Sequence, residues 1–207
     1  MTNPTAKRIY DVCFAALGLV VLSPLFLVIA LLVKLADGGA VFYRQERVGQ
    51  FGKLFWIWKF RTMVVDAARQ GIGLTRGSDA RITPVGRWLR KTKLDELPQL
   101  WNVLRGDMSF VGPRPEVPHY VARYTAAQRA VLQVKPGITD LASLEFRNEE
   151  ELLATAADVE SFYVEHCLPR KIELSLQYQR QASLWQDTRV IGRTLFGVTG
   201  KGTGSRK

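Results

Sequence analysis

Apolar residues are concentrated near the start of this chain. From Val12 to Val33 it reads VCFAALGLVVLSPLFLVIALLV, without one charged side chain, and the run is about as long as a helix needs to cross a ~30 Å hydrocarbon layer. Ser23-Pro24 falls near its midpoint. Proline has no amide hydrogen and its ring collides with the carbonyl one turn back, while a serine hydroxyl bonds a neighbouring carbonyl, so a sharp kink is expected there. A cleaved signal fits poorly, because such apolar cores run ~7–15 residues and no small-x-small cleavage site follows. A Pro-kinked spanning helix and a re-entrant hairpin are the other readings. Lys7 and Arg8 precede the run and Lys34, Arg44 and Arg47 follow it. Positive charge at both ends draws both to the cytoplasmic side and favours the hairpin.

Beyond Asp37-Gly38-Gly39 the pattern changes. AVFYRQERVG and LFWIWKFRTM, rich in aromatic and β-branched residues, flank the turn segment QFGK and predict a β-hairpin beside the bilayer. Asp66 to Arg81 is polar, with GIGLTRG as an expected mobile loop. Thr83-Pro84 supplies an N-cap and a first-turn proline for a helix through Arg90, whose basic residues beside Trp88 and Leu89 suit an interfacial position. A second helix is expected through LPQLWNVLRG, ending at Gly106. GDMSFVGPRPEVP reads as an ordered loop and HYVARYTAAQRAVLQV as a helix, and two mostly helical stretches separated near Pro169 lead to a solvated tail. The expected fold class is therefore α+β and mostly helical. Residues 1–36 are expected to form a membrane helix-break-helix, 37–199 a domain at the cytoplasmic face with a small β-hairpin and interfacial amphipathic helices, and 200–207 a flexible tail.

Composition sharpens this picture. The chain has 207 residues and a formal charge of +10, with 47% hydrophobic residues, which excludes a disordered basic chain and points to a polyanionic partner. Two cysteines and two histidines argue against a disulfide framework or a Cys/His zinc site. Nucleic acid is a poor candidate partner, because no reading motif accompanies the charge and the N-terminus is apolar.

Two segments carry candidate chemistry. Asp95-Glu96 stands before a helix, where a divalent cation would let paired carboxylates work beside a bound phosphate, or where the pair simply caps the helix. In Gly112-Pro113-Arg114-Pro115 the two prolines restrict the backbone around Arg114, either as a phosphate clamp or as a rigid surface turn. Lys59, Arg61, Arg90 and Arg147 are further cations suited to phosphate or to lipid headgroups.

Taken in order, KRIYDV, the Ser23-Pro24 break, VFYRQERVGQFGKLFWIWKFRTM, LRKTKLDELPQLWNVLRGDMSFVGPRPE and VKPGIT closely resemble the bacterial sugar transferases, the monotopic polyprenyl-phosphate phosphoglycosyltransferases. The chain is similar to their small catalytic-core form. The resemblance implies transfer of a sugar phosphate from a UDP-sugar to polyprenyl (undecaprenyl) phosphate, with release of UMP, at the cytoplasmic face of the bacterial inner membrane. It implies that 37–199 is the catalytic domain. It implies Mg²⁺ with Asp95 and Glu96 as candidate ligands, Asp95 as the nucleophile that forms an aspartyl phosphosugar, and Glu96 as its partner, either ligating the metal or assisting proton removal. It further implies Lys59, Arg61, Arg90, Pro113, Arg114, Pro115 and Arg147 in substrate binding, and Ser23-Pro24 as the break of a re-entrant hairpin. PGITDLASLEFRNEEEL departs from the family's usual PGITG stretch at Asp140, Ser143 and Glu145 while keeping Arg147-Asn148, which leaves the donor sugar open. A non-enzymatic basic membrane-surface protein and a membrane-associated phosphohydrolase are the alternatives. The sequence is silent on oligomeric state.

Overall fold

The computed structural model describes residues 3–67 and 79–199, so the expected GIGLTRG loop and the 200–207 tail lie outside the described residues. The long apolar run forms two helices. α1 (Pro4–Val21) is capped by Asn3, whose side chain accepts from Thr5 N at 2.9 Å, and α2 (Ser23–Asp37) follows directly. They bend by 61° at the break. The Ser23 hydroxyl donates to Val20 O at 2.8 Å, and Pro24 offers no amide to the ladder, which together account for the bend. No single described helix is long and apolar enough to cross a membrane, although the bent pair passes that test together.

Each of these helices has two faces. Ala15 of α1 is buried with Ile57, Val103 and Met108, and Ile29 and Val33 of α2 are buried with Phe60 and Leu89. Leu17, Val20, Leu27, Leu31 and Leu35 are exposed. Apolar surface of this extent is unusual on a soluble monomer.

The expected hairpin is present. β1 (Phe42–Val48) pairs antiparallel with β2 (Leu54–Phe60) in a register running from Phe42↔Phe60 to Val48↔Leu54. Arg61, immediately after β2, is tied to the base of α2. It donates to both oxygens of Asp37, at 2.6 and 2.5 Å, and to Ala40 O and Met63 O. These hydrogen bonds to a charged group and to the chain ends they join should contribute about 1–3 kcal/mol. Arg61→Lys, which loses the bidentate fork, should therefore lower the melting temperature measurably while the donor KM stays within about twofold. A changed donor KM would return Arg61 to the substrate site.

α3 (Pro84–Thr92) starts where expected, with Thr83 Oγ1 accepting from Gly86 N at 2.9 Å. A 3-10 turn (Leu94–Glu96) separates it from α4 (Gln99–Arg105), which ends at Gly106 with φ 94°. The segment read as an ordered loop opens instead with β3 (Ser109–Val111), which lies parallel to β4 (Gly137–Thr139). Gly112 and Gly137 let the two chains meet. A Cβ on Gly137 would stand 2.1 Å from Gly112 N, so Gly137→Ala should destabilise the protein by about 1–3 kcal/mol or more, read as a shifted urea midpoint.

The expected helix over HYVARYTAAQRAVLQV is two pieces, α5 (Pro118–Val121) and a 3-10 segment (Gln128–Gln133). Thr125 and Gln128 explain the division. Gln128 N donates to Thr125 Oγ1 at 3.2 Å and Thr125 N to Gln128 Oε1 at 2.9 Å, a reciprocal cap that restarts the chain. The remaining elements are α6 (Leu141–Glu145), α7 (Glu149–Ala154), α8 (Val159–Phe162), a π turn (Tyr163–Cys167), α9 (Leu168–Gln181) and α10 (Leu184–Thr199). Pro169 does not separate two helices. It lies in the first turn of α9, where its missing amide costs little. The break falls at Ala182, with ψ 125°, and Ser183 Oγ then accepts from Gln186 N at 3.1 Å.

Candidate active site

The site forms where β2, the 3-10 turn and the segment after β3 converge. Asp95 and Glu96 lie inside the turn and are both buried. Neither caps α4, whose N-terminal residue Pro98 has no side-chain cap bond. The capping alternative is thereby corrected, since Leu97 and Pro98 intervene between the pair and the helix.

The two carboxylates have different surroundings. Glu96 Oε1 accepts from Lys59 Nζ at 2.7 Å and from Arg114 Nη2 at 2.6 Å, and Oε2 lies 3.4 Å from Arg114 Nη1. Burial alone would raise its pKa, but the charges and hydrogen bonds of Arg114 and Lys59 hold it well below the usual carboxylate range. Glu96 in turn pushes the Arg114 guanidinium up. Asp95 Oδ1 is buried and has no hydrogen-bond partner among the described residues. Burial pushes the Asp95 carboxyl up and the charge of Glu96 adds to this, with Lys59, Lys93 and Arg90 opposing. Adjacent acids are thus driven apart in proton affinity, an arrangement that recurs where two carboxylates take different roles in one reaction.

Arg114 stands on a loop fastened from several directions. Pro113 O accepts from Gly137 N at 3.0 Å, Pro115 O from Arg47 Nη1 at 2.9 Å, and Glu116 O from Val48 N at 2.9 Å. The Glu116 carboxylate accepts from Tyr163 OH at 2.5 Å. Pro113 and Pro115 therefore lie in a buried loop fastened to its neighbours rather than in a free surface turn.

The expected cations divide. Lys59 and Arg114 meet at Glu96, and Arg90 is near enough for its charge to act on Asp95 while its Nε donates to Thr62 Oγ1 at 2.9 Å. Arg61 is engaged by Asp37 instead. Arg147 is half-buried, with its guanidinium against α10, where Nη1 would stand 2.9 Å from a Cβ on Gly197. The described contacts do not bring Arg61 or Arg147 to the carboxylate pair. Sequence reading missed Arg47 as a site residue and gave it only a flanking charge. Its guanidinium secures the clamp loop, and its Nε is buried without a partner among the described residues. The available signal was its place in an alternating strand segment.

Among the described residues no group of three or more His, Cys, Asp or Glu side chains gathers as a cation site. The unpartnered Asp95 oxygen fits one ligand of a hard divalent ion, whereas Glu96 already holds two cations. Such an ion would complete its shell from phosphate oxygens and water, as Mg²⁺ commonly does.

Lys59 and Arg114 on a buried carboxylate, beside a second carboxyl with an unpartnered oxygen, form an arrangement chemically suited to a phosphorylated anion. The model of the family described as bacterial sugar transferase matches residues 2–201, and the chain belongs to that family. It is 38% identical over 198 residues to the UDP-glucose:undecaprenyl-phosphate glucose-1-phosphate transferase of Klebsiella pneumoniae, covering 94% of this chain and 40% of that protein. It is 42% identical over 208 residues to the exopolysaccharide production protein ExoY of Rhizobium meliloti, covering 93% and 85%. With the galactosyl transferase CpsE of Streptococcus agalactiae serotype III the identity is 34% over 212 residues, covering 97% and 43%. The chain spans about 40% of the length of the glucose-1-phosphate transferases it matches.

Proposed function

We propose that this protein transfers a sugar phosphate from a UDP-sugar to undecaprenyl or a related polyprenyl phosphate, through a covalent intermediate on Asp95. The observation that carries this reading is the buried, unpartnered Asp95 Oδ1 beside a Glu96 already neutralised by Lys59 and Arg114. An Asp95 oxygen attacks the sugar-linked phosphorus of the donor, forming an aspartyl phosphosugar as the bond to UMP breaks. A phosphate oxygen of the polyprenyl phosphate then attacks the same phosphorus, forming the diphosphate linkage and returning the Asp95 carboxylate. Glu96 holds Lys59 and Arg114 in place, and their remaining N–H groups face the charge that develops on the phosphoryl oxygens. A divalent cation such as Mg²⁺ would be held at Asp95 and would supply further charge neutralisation at the diphosphate.

Two half-reactions on one side chain suit substrates from different phases. The exposed apolar faces of α1 and α2, with Trp88 exposed on α3, support a protein seated in the cytoplasmic face of the bacterial inner membrane. In that setting the bent pair enters and leaves by the same side. Labels at Thr2 and Lys207 should then react from one side of sealed vesicles, and reaction from opposite sides would replace the hairpin with a spanning helix. UMP release from UDP-glucose, the donor that the relatives' names put first, should rise strongly when undecaprenyl phosphate is supplied. Equal release of free sugar phosphate without the lipid would make the protein a hydrolase.

A further inference from the structure

Asp140 is among the most deeply buried acids of the chain, at 0% exposure. Its Oδ1 accepts from Ser143 N at 2.6 Å, and its Oδ2 from Ser175 Oγ at 3.1 Å and from Arg114 N at 3.3 Å. One carboxylate thus joins the end of β4, the start of α6, the middle of α9 and the backbone of the clamp residue. A buried carboxylate costs free energy unless its oxygens are satisfied, and here two amides and a hydroxyl do so. Its charge also acts on the Arg114 guanidinium.

The environment of that oxygen matters for Arg114. A cavity of about 30 Å³, with Pro113, Arg114, Asp140, Lys171 and Ser175 among its lining residues, lies behind the clamp loop. On this side the Asp140 carboxylate meets the Arg114 amide, with Asp140 and Arg114 both lining that cavity. On the other side the Arg114 side chain reaches Glu96 at 2.6 Å. Backbone and guanidinium of one residue are therefore held by two different acids.

We infer that Asp140 is a positioning residue: by holding the Arg114 amide it sets where that guanidinium stands against Glu96 and the donor phosphate. The inference rests on the proposed transfer reaction only for its readout. Misplacement of a phosphate-binding group by a fraction of an ångström to one ångström costs up to about 10²-fold in rate. Asp140→Asn keeps the shape but offers an N–H₂ where one acceptor oxygen stood.

The test is a double-mutant cycle on UMP release from UDP-glucose in the presence of undecaprenyl phosphate, using the full chain and variants Asp140→Asn, Arg114→Lys and both together. The expected result is that Asp140→Asn lowers kcat by about 10- to 100-fold, with a smaller change in donor KM, and adds less than about twofold in the Arg114→Lys background. Ser175→Ala, which removes one donor from the same oxygen, should give a smaller loss with the same dependence on Arg114, and it decides the matter if Asp140→Asn does not fold. Multiplicative losses, or a folded Asp140→Asn with the parental rate, would overturn the inference. Asp95→Asn is measured in parallel: if it retains turnover the covalent reading fails, while the cycle still reports whether Asp140 acts through Arg114.

Discussion

Asp95→Asn should abolish transfer without weakening the fold. UMP release is expected to fall by at least about 10³-fold, the scale on which nucleophiles are lost from enzymes that work through covalent intermediates. Stability should stay the same or rise. Asp95 Oδ1 has no hydrogen bond to lose, and its carboxyl is pushed above the usual range by burial. A group whose folded pKa is raised supports the fold at low pH and works against it as pH rises through that value. Asp95 therefore supports the fold less at neutral pH than in acid, a loss that the uncharged amide does not share. Melting curves at pH 7 check this directly. A large drop in melting temperature would mean that Asp95 has structural partners and that lost activity reports unfolding.

Glu96→Gln should do the opposite and cost both stability and rate. Lys59 and Arg114 converge on this one carboxylate, and removing its charge leaves two cations together in a poorly solvated place. Breaking a buried ion pair from one side typically costs about 3–5 kcal/mol, which for a domain of this size corresponds to a fall of roughly 10 °C in melting temperature. The pH dependence carries a further signature. Glu96 is held well below its ordinary range, so its contribution is complete above the unfolded-state pKa and is lost as pH falls through the lower folded value. The parent should therefore lose stability on acidification more steeply than Glu96→Gln. Parallel acid limbs in the two proteins would show that the fold does not lower the Glu96 pKa, and the ion pairs with Lys59 and Arg114 would then add nothing to stability. Activity of Glu96→Gln should fall by about 10²-fold, because both cations lose the group that aims them at the phosphate.

The opposite stability effects expected at adjacent positions express the division of labour in the site. One acid is satisfied and organises the cations. The other is left unsatisfied, as reactive groups commonly are at some expense of stability.

How far the sequence revealed this arrangement depended on the range of the interactions. The Ser23-Pro24 bend, the Thr83 cap, the Gly106 stop and the aromatic hairpin are local devices whose residues act on their own neighbours, and each is found where the sequence put it. The short elements behaved differently. A parallel pair of three-residue strands, joining Ser109 to Gly137, leaves no periodic trace, so β3 reads as loop. Lys59 and Arg61 have the same strand parity, but β2 ends at Phe60. Lys59 therefore faces Glu96 while Arg61 leaves the strand and turns to Asp37. Asp140 and Arg47 owe their importance to partners tens of residues away, which spacing along the chain does not disclose. Thr125 and Ser183 each stand three residues before a glutamine, and the first of these pairs does form the reciprocal cap that the pattern encodes.

Intact-protein and peptide mass spectrometry after incubation with UDP-glucose and Mg²⁺, without lipid acceptor, tests the reaction most directly. The expected result is a gain of one phosphosugar on the peptide that contains Asp95, lost again when undecaprenyl phosphate is added and never formed in Asp95→Asn. Continued UMP release with lipid-linked product and an unmodified Asp95 peptide, in samples quenched during turnover, would contradict a covalent route through this residue.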